Sequence, residues 1–469
     1  MENILGYYLM PHPPVIIPDI GMGREKEIDA TTNACNKIGA EIASLKPETI
    51  IVITPHSVMF SDAISISDED RISGDLRDYR CSNIKMDIEI DREFNKKLDI
   101  NSHLEGIPTI LVDKKFLSKY NYEFQLDHGT MIPLYFINKY YNDYKLVHIN
   151  YAPLGDMVLY RFGIEIEKVS SELGRKIVII ASGDLSHKLT YEGPYSYSPY
   201  GEKFDKELLS SLKEGDIKSI FTMNPTMINE AAQCGMNSVD ILLGAMNGYR
   251  FKGELLSYEG PFGVGYGVMK FNKGNEKYNT IGEITKIKEE KLQKKIDNSN
   301  IYTKLARESL NFYFANGYKM TYINENSEEL LKERHGVFVS LKKFGQLRGC
   351  IGTIAPTTNS VAEEIIRNAI ESAIEDPRFP AVREDELKDI DISIDILMEP
   401  KYANKDELDP KKYGVIVTKG TKRGLLLPNL EGVDTVEYQL NIACSKAGID
   451  IDDEYNIEKF EVIRFEEGE

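Results

Sequence analysis

Cysteine is sparse in this sequence and never closely paired. Cys35, Cys81, Cys234, Cys350 and Cys444 are odd in number and widely scattered. That spacing argues against a disulfide framework and against a closed structural zinc site, and a reducing cytoplasm is the expected compartment. Long apolar runs are missing as well. The N-terminal apolar stretch is broken by Pro11, Pro13 and Pro14, so neither a signal peptide nor a spanning helix is expected. Basic charge is in deficit: 57 Lys and Arg against 75 Asp and Glu leave a formal net charge of −18. Binding to phosphate backbones wants a basic face, so neither nucleic acid nor membrane is an expected partner. The expectation is a soluble cytoplasmic protein.

What is present divides the chain in two. At roughly 150 residues per domain, 469 residues suggest two to three domains. Over residues 1–271, apolar runs at 4–10, 49–54, 107–112, 145–150, 176–181 and 263–271 alternate with helical patterns at 24–45, 155–173, 202–213 and 225–247. Alternating strands and helices predict an α/β domain with a largely parallel or mixed sheet. Residues 272–300 open on the polar stretch Asn272 to Lys277 and become charge-dense, which predicts a linker running into a helix. Residues 301–469, with helical patterns at 301–316 and 359–374 and strands at 336–343, 391–397, 413–418 and 423–427, predict a smaller α+β domain.

Histidine is the informative residue. Six of the seven lie within the first 187 positions, and three directly follow strand-like runs: His12, His56 and His187. Open α/β sheets bind ligands beyond the carboxyl ends of their strands, so three imidazoles at one such edge predict a metal or acid–base site. His128, in Leu126-Asp127-His128-Gly129, occupies a similar loop setting. His148 lies within its strand and reads as a core histidine with a backbone partner; His103 has no such context. A metal also needs an anionic ligand. Glu230 and Cys234, four apart in the pattern 225–247, would share one helix face. Two histidines with Glu230 would make the facial triad of a non-haem Fe(II) site, whereas a Cys234 thiolate would be softer and suit iron, zinc or copper. Asp184, three residues before His187, is placed to orient its ring.

The segments Pro11-His12-Pro13-Pro14, Thr54-Pro55-His56-Ser57, Asp127-His128-Gly129 and Ser182-Gly183-Asp184-Leu185-Ser186-His187 resemble the catalytic subunit of class III extradiol dioxygenases, the LigB-like family, and the related Memo proteins. The resemblance covers about residues 1–270. It implies a divalent metal, Fe(II) foremost with Zn or Cu as alternatives, bound by His12 and His56. It further implies His187 as acid–base, His128 lining the pocket of a small aromatic substrate, and an oxidoreductase activity. The dioxygenase's third ligand is a glutamate. The matching position here is Cys234, as in Memo, where His187 would join the metal, and that departure leaves three readings open: ring cleavage, a metal-binding scaffold, or a Zn-dependent hydrolase or lyase.

In the C-terminal half, Gln346-Leu347-Arg348-Gly349-Cys350-Ile351-Gly352 sets an anion-binding fork, Arg348, beside a thiol, Cys350. Together with Asp376-Pro377-Arg378-Phe379-Pro380 and Gly424-Leu425-Leu426-Leu427-Pro428 it is similar to the AMMECR family over about residues 301–465. The pairing of Memo-like and AMMECR-like parts implies a radical-SAM protein as partner in one pathway.

Overall fold

Strict alternation along apolar strands builds the first sheet. In β1 (Ile4–Met10), Tyr7 and Leu9 enter one core while Tyr8 and Met10 enter the other. In β2 (Thr49–Thr54), Ile51 and Ile53 go one way and Ile50 and Val52 the other. Strands buried on both faces read as continuous apolar runs, which is why they were legible. The computed structural model describes residues 3–321, 333–343, 345–430 and 432–468. Two compact units divide the chain, Met1–Lys288 and Glu289–Glu469.

The first unit continues with β3 (Ile64–Ser67), the two-stranded pair β4 (Arg71–Leu76) and β5 (Cys81–Glu89), then β6 (Thr109–Val112), β7 (Lys145–Asn150), β8 (Ile177–Ser182), β9 (Tyr249–Glu259) and β10 (Tyr266–Lys277). Eight of these form one sheet in the order β6-β3-β7-β2-β8-β1-β10-β9. β1, β2, β7 and β8 run parallel, and β10 closes antiparallel on β1. The expected α/β domain with a mixed sheet is therefore what the chain forms. Four carboxyl ends, Met10, Thr54, Asn150 and Ser182, lie together at one edge.

Three expectations need correction. The last strand begins at Tyr266, not at residue 263, because Gly263 takes a positive φ of 80° and the segment before Tyr266 is a turn. Asn272–Lys277 is strand rather than a linker's opening turn. Pairing with β9 satisfies its backbone although its side chains are polar, and a helix follows at Thr280–Asn298. The pattern 225–247 is two helices, Pro225–Glu230 and Met236–Gly244. Between them Ala232 adopts the left-handed φ of 51°, which ends the first helix and abolishes the four-residue periodicity between Glu230 and Cys234.

The second unit holds β11 (Gly336–Lys343), β12 (Gln346–Gly352), β13 (Ile390–Leu397), β14 (Lys401–Tyr402), β15 (Gly414–Lys419), β16 (Lys422–Leu426), β17 (Asn456–Phe460) and β18 (Val462–Glu466). They form two four-stranded antiparallel sheets, β12-β11-β13-β18 and β14-β17-β15-β16. Val337, Val339, Leu341, Ile392, Ile394 and Ile396 pack one face of the first sheet with Leu305, Leu310, Ile365 and Ala369 of the helices Ile301–Asn316 and Val361–Ile374. This is the expected α+β unit. No described helix is long and apolar enough to cross a membrane.

Candidate metal centre

His12 leaves the end of β1 and is 2% exposed. Its backbone N–H donates to Asp184 Oδ1 (2.9 Å), and its Nδ1 lies 2.9 Å from Ser182 Oγ. Since the Ser182 hydroxyl donates to the Gly129 carbonyl (2.5 Å), its oxygen is left to accept from His12. That assigns the proton to Nδ1 and leaves Nε2 with a free lone pair. His56 follows β2, and its Nε2 lies 3.1 Å from that of His12. Two nitrogens bound to one ion at about 2.0–2.1 Å, at angles between about 90° and 110°, sit about 2.8–3.4 Å apart. The pair fits a shared metal.

His128 opens the helix His128–Asn138 with Asp127 as its N-cap, the carboxylate accepting from Thr130 N–H (3.1 Å). A Cβ at Gly129 would collide with Thr54 Oγ1, so glycine is what lets this helix start against the end of β2. The His128 ring stacks on His56 at 4.4 Å, and ligand atoms of His12, His56 and His128 all lie within 4.8 Å of one another.

Cys234 lies against His12 and Glu230 turns away. Gly183 and Gly235 touch so closely that a Cβ at Gly183 would overlap Gly235. This contact brings the turn after Glu230 against the end of β8. Cys234 Sγ accepts from the Asp184 N–H (3.3 Å) and lies 3.7 Å from His12 Nε2, near the ~3.6 Å expected of a thiolate and an imidazole sharing a tetrahedral ion. Glu230 ends its helix with a side chain 49% exposed, 3.7 Å from Lys188 Nζ and 3.4 Å from Ser198 Oγ.

His187 is held by its N–H to the Ala231 carbonyl (3.0 Å), and Leu185 and Gly265 tie the preceding loop to the glycine-rich turn. Its Nε2 is buried without a partner among the described residues, and its ring stacks on Tyr195 at 5.3 Å. Asp184 does not orient this ring as expected. Its carboxylate serves the backbone of His12 instead.

The electrostatics keep the imidazoles neutral. Burial, with neighbouring histidines, holds His12 well below the usual range, and burial lowers His56. Burial and His56 push His128 and His187 down to about 4. Burial lifts the Asp184 carboxyl to about 7 and, with Asp184, raises the Cys234 thiol. Neutral imidazole is the ligand form, and a metal at Cys234 must displace a proton.

His148 was missed. Its side chain, not a backbone group, carries its contacts: Nε2 lies 2.9 Å from Asp127 Oδ2 and Nδ1 2.8 Å from Ser67 Oγ. Burial opposes ionisation of Asp127, but His148 and Thr54 hold its carboxyl well below the usual range. A polar residue inside an apolar strand was the available signal. His103, 57% exposed beside Asp99, stands apart.

In the second unit, Arg348 is not an open fork. Its Nε and Nη2 donate to Glu386 (3.3 and 3.1 Å), and Nη1 and Nη2 donate to the carbonyls of Pro380 (2.7 Å) and Ala381 (3.2 Å). Nor is Cys350 a low-pKa thiol, since burial raises it.

The arrangement is an imidazole-rich cluster able to hold a metal ion, on a mixed α/β sheet. The family model for the catalytic LigB subunit of aromatic ring-opening dioxygenase matches residues 6–269, and the AMMECR1 model matches residues 303–468. The chain belongs to the LigB family and carries an AMMECR1 domain behind it. A Clostridium acetobutylicum protein is 52% identical over 466 residues, spanning 99% of this chain and 100% of its own length. A Thermotoga maritima protein is 58% identical over 141 residues, 29% of this chain and 81% of that protein. A Pyrococcus horikoshii crystal structure, 30% identical, covers 36% of this chain and 91% of its own with a TM-score of 0.34, too low to carry an argument.

Proposed function

We propose that the N-terminal unit is a non-haem metal-dependent oxidoreductase acting on a small aromatic substrate such as a catechol, with the AMMECR1 domain as an accessory. The observation that carries it is the pair of neutral imidazoles, His12 and His56, whose Nε2 atoms stand 3.1 Å apart. His12, His56 and Cys234 would hold the ion, Fe(II) before Zn or Cu. A redox metal there supplies Lewis acidity and an electron path. His187, neutral at pH 7, takes a phenolic proton on its unpartnered Nε2 and returns it later. His128 and Tyr79, whose rings meet at 5.3 Å, give a planar substrate a wall.

One observation favours a second reading. Among the described residues no carboxylate joins the histidine group, and Glu230 turns away toward Lys188. A thiolate in its place suits a zinc-dependent hydrolase or lyase, or a metal-binding scaffold of the Memo kind. Metal analysis of anaerobically purified protein, followed by oxygen uptake with a catechol panel, separates them. Iron with catechol-dependent uptake is the expected result. Zinc without uptake means non-redox chemistry or a metal-binding scaffold, and protein that takes up no metal overturns the metal site.

A further inference from the structure

The N-terminal unit buries a carboxylate that joins no ion pair among the described residues. The helix Pro199–Glu214 packs Phe204, Leu208, Leu209 and Leu212 into the core, and Asp205 lies among them, 0% exposed. Burying a charge without a cation beside it is costly, and an apolar residue would pack there. Both of its oxygens are committed instead. Oδ1 accepts the Ser186 N–H (2.8 Å) and Oδ2 accepts the Tyr258 hydroxyl (2.7 Å). A Cβ at Gly265 would collide with Oδ2, so glycine is what gives the carboxylate its room. Burial lifts the carboxyl to about 6 against the opposing pull of both hydrogen bonds.

Ser186 is where that carboxylate acts. The residue is fully buried, and each of its polar groups is taken. Its N–H goes to Asp205, and its carbonyl accepts the Gly265 N–H (2.8 Å). Its hydroxyl donates to the Ala231 carbonyl (3.0 Å) and accepts the Lys188 N–H (3.1 Å). The next residue, His187, donates its own N–H to the same Ala231 carbonyl (3.0 Å). Through that carbonyl the segment carrying His187 is tied to the turn carrying Cys234, whose N–H donates to the Asp184 carbonyl (3.3 Å). Asp205 fixes the two joined segments to a helix of the core, and Tyr258 holds its other oxygen from β9.

We propose that Asp205, on the reading of His187 as the acid–base group, is its positioning residue: it fixes the backbone from which the imidazole projects and touches no substrate itself. Proton transfer needs the acceptor nitrogen within hydrogen-bond reach of the phenol, and a displacement of about 1 Å can cost about a hundredfold in rate. A carboxylate holds a backbone N–H more strongly than a neutral carbonyl does. Held at both oxygens, Asp205 passes the position of its helix to Ser186, and so to His187, through short bonds with no flexible link.

Labelling of the full chain with diethylpyrocarbonate at neutral pH, followed histidine by histidine through peptide mass, tests this without any turnover. His187 in the parent should react slowly. In Asp205→Ala its rate should rise roughly tenfold or more, the effect on local opening of losing one charge-assisted hydrogen bond. Asp205→Asn keeps an oxygen for the Ser186 N–H and should label at the parent rate. Tyr258→Phe, at a partly exposed position on an edge strand, releases Oδ2 and should raise the rate severalfold even if Asp205→Ala fails to fold. His148, 1% exposed, should stay unreactive throughout and separates local loosening from general unfolding. If the parent oxidises catechols, kcat should fall in Asp205→Ala by up to about a hundredfold, with KM near the parent value, and recover in Asp205→Asn. A parent without oxygen uptake removes the acid–base reading, while the labelling still decides the positioning. Unchanged His187 labelling in Asp205→Ala and Tyr258→Phe, Asp205→Asn labelling as fast as Asp205→Ala, or His148 rising in step with His187, overturns the proposal.

Discussion

The Thr54 hydroxyl donates to Asp127 Oδ1 at 2.6 Å and accepts the His56 N–H at 2.7 Å. One side chain thereby joins the segment carrying His56 to the N-cap of the helix carrying His128. Groups that orient metal ligands typically change affinity 10–100-fold when removed. Thr54→Val keeps the strand and loses both bonds, so metal affinity measured by competition with a chelator should fall by about that factor. Unaltered affinity would show that the histidines are positioned without it.

His12→Ala and His56→Ala should each abolish stoichiometric metal binding while far-ultraviolet circular dichroism stays at the parent signal. Either variant retaining a full equivalent of metal removes it from the ligand set.

Cys234→Ala should lose the metal and Glu230→Gln should keep it. A thiol raised by burial must release its proton when it binds a cation. Calorimetry with Zn(II) in buffers of different ionisation enthalpy should therefore report about one proton released by the parent chain. Proton release unchanged in a metal-binding Cys234→Ala protein would remove the thiolate from the site.

His187→Ala separates a base from a ligand. With Nε2 buried and unpartnered, loss of turnover with metal retained is the expected outcome. Loss of metal in this variant would instead make His187 a ligand.

Arg348→Ala should destabilise the C-terminal unit by roughly 2–4 kcal/mol in urea unfolding, because Glu386 would remain buried with one of its partners gone. The same carboxylate sets an acid limit. Burial opposes its ionisation, but Arg348 and Lys343 hold it down to about 2, against an ordinary value of 4.5. A depressed pKa stabilises the fold fully above the unfolded value and is lost as pH falls through the folded one. Stability should therefore decline between about pH 4.5 and pH 2, and Glu386→Gln should flatten that decline. An equally steep decline in the variant would place the acid sensitivity elsewhere.

The sequence by itself determined the sheet and the edge that carries the histidines. Runs such as Ile50 to Ile53 and Ile177 to Ile180 are apolar at every position because both faces are covered. Strands of that kind lie parallel in α/β folds and present their carboxyl ends together. Three histidines, His12, His56 and His187, could be read from that pattern alone, and His128 from its loop setting. The edge strand β9 and the separate pair β4 and β5 were not legible, because their alternation is diluted by exposed side chains. The resemblance pointed to Cys234, and the tertiary structure gives the reason that Cys234, rather than Glu230, lies against His12. The choice turns on the left-handed residue Ala232 and on the contact between Gly183 and Gly235, fifty-two positions apart in sequence. It also decided that His148 supports Asp127 and that Arg348 is spent on Glu386. Spacing along a chain says which groups can be near. Which lone pairs and charges are left unclaimed depends on partners brought in from distant segments.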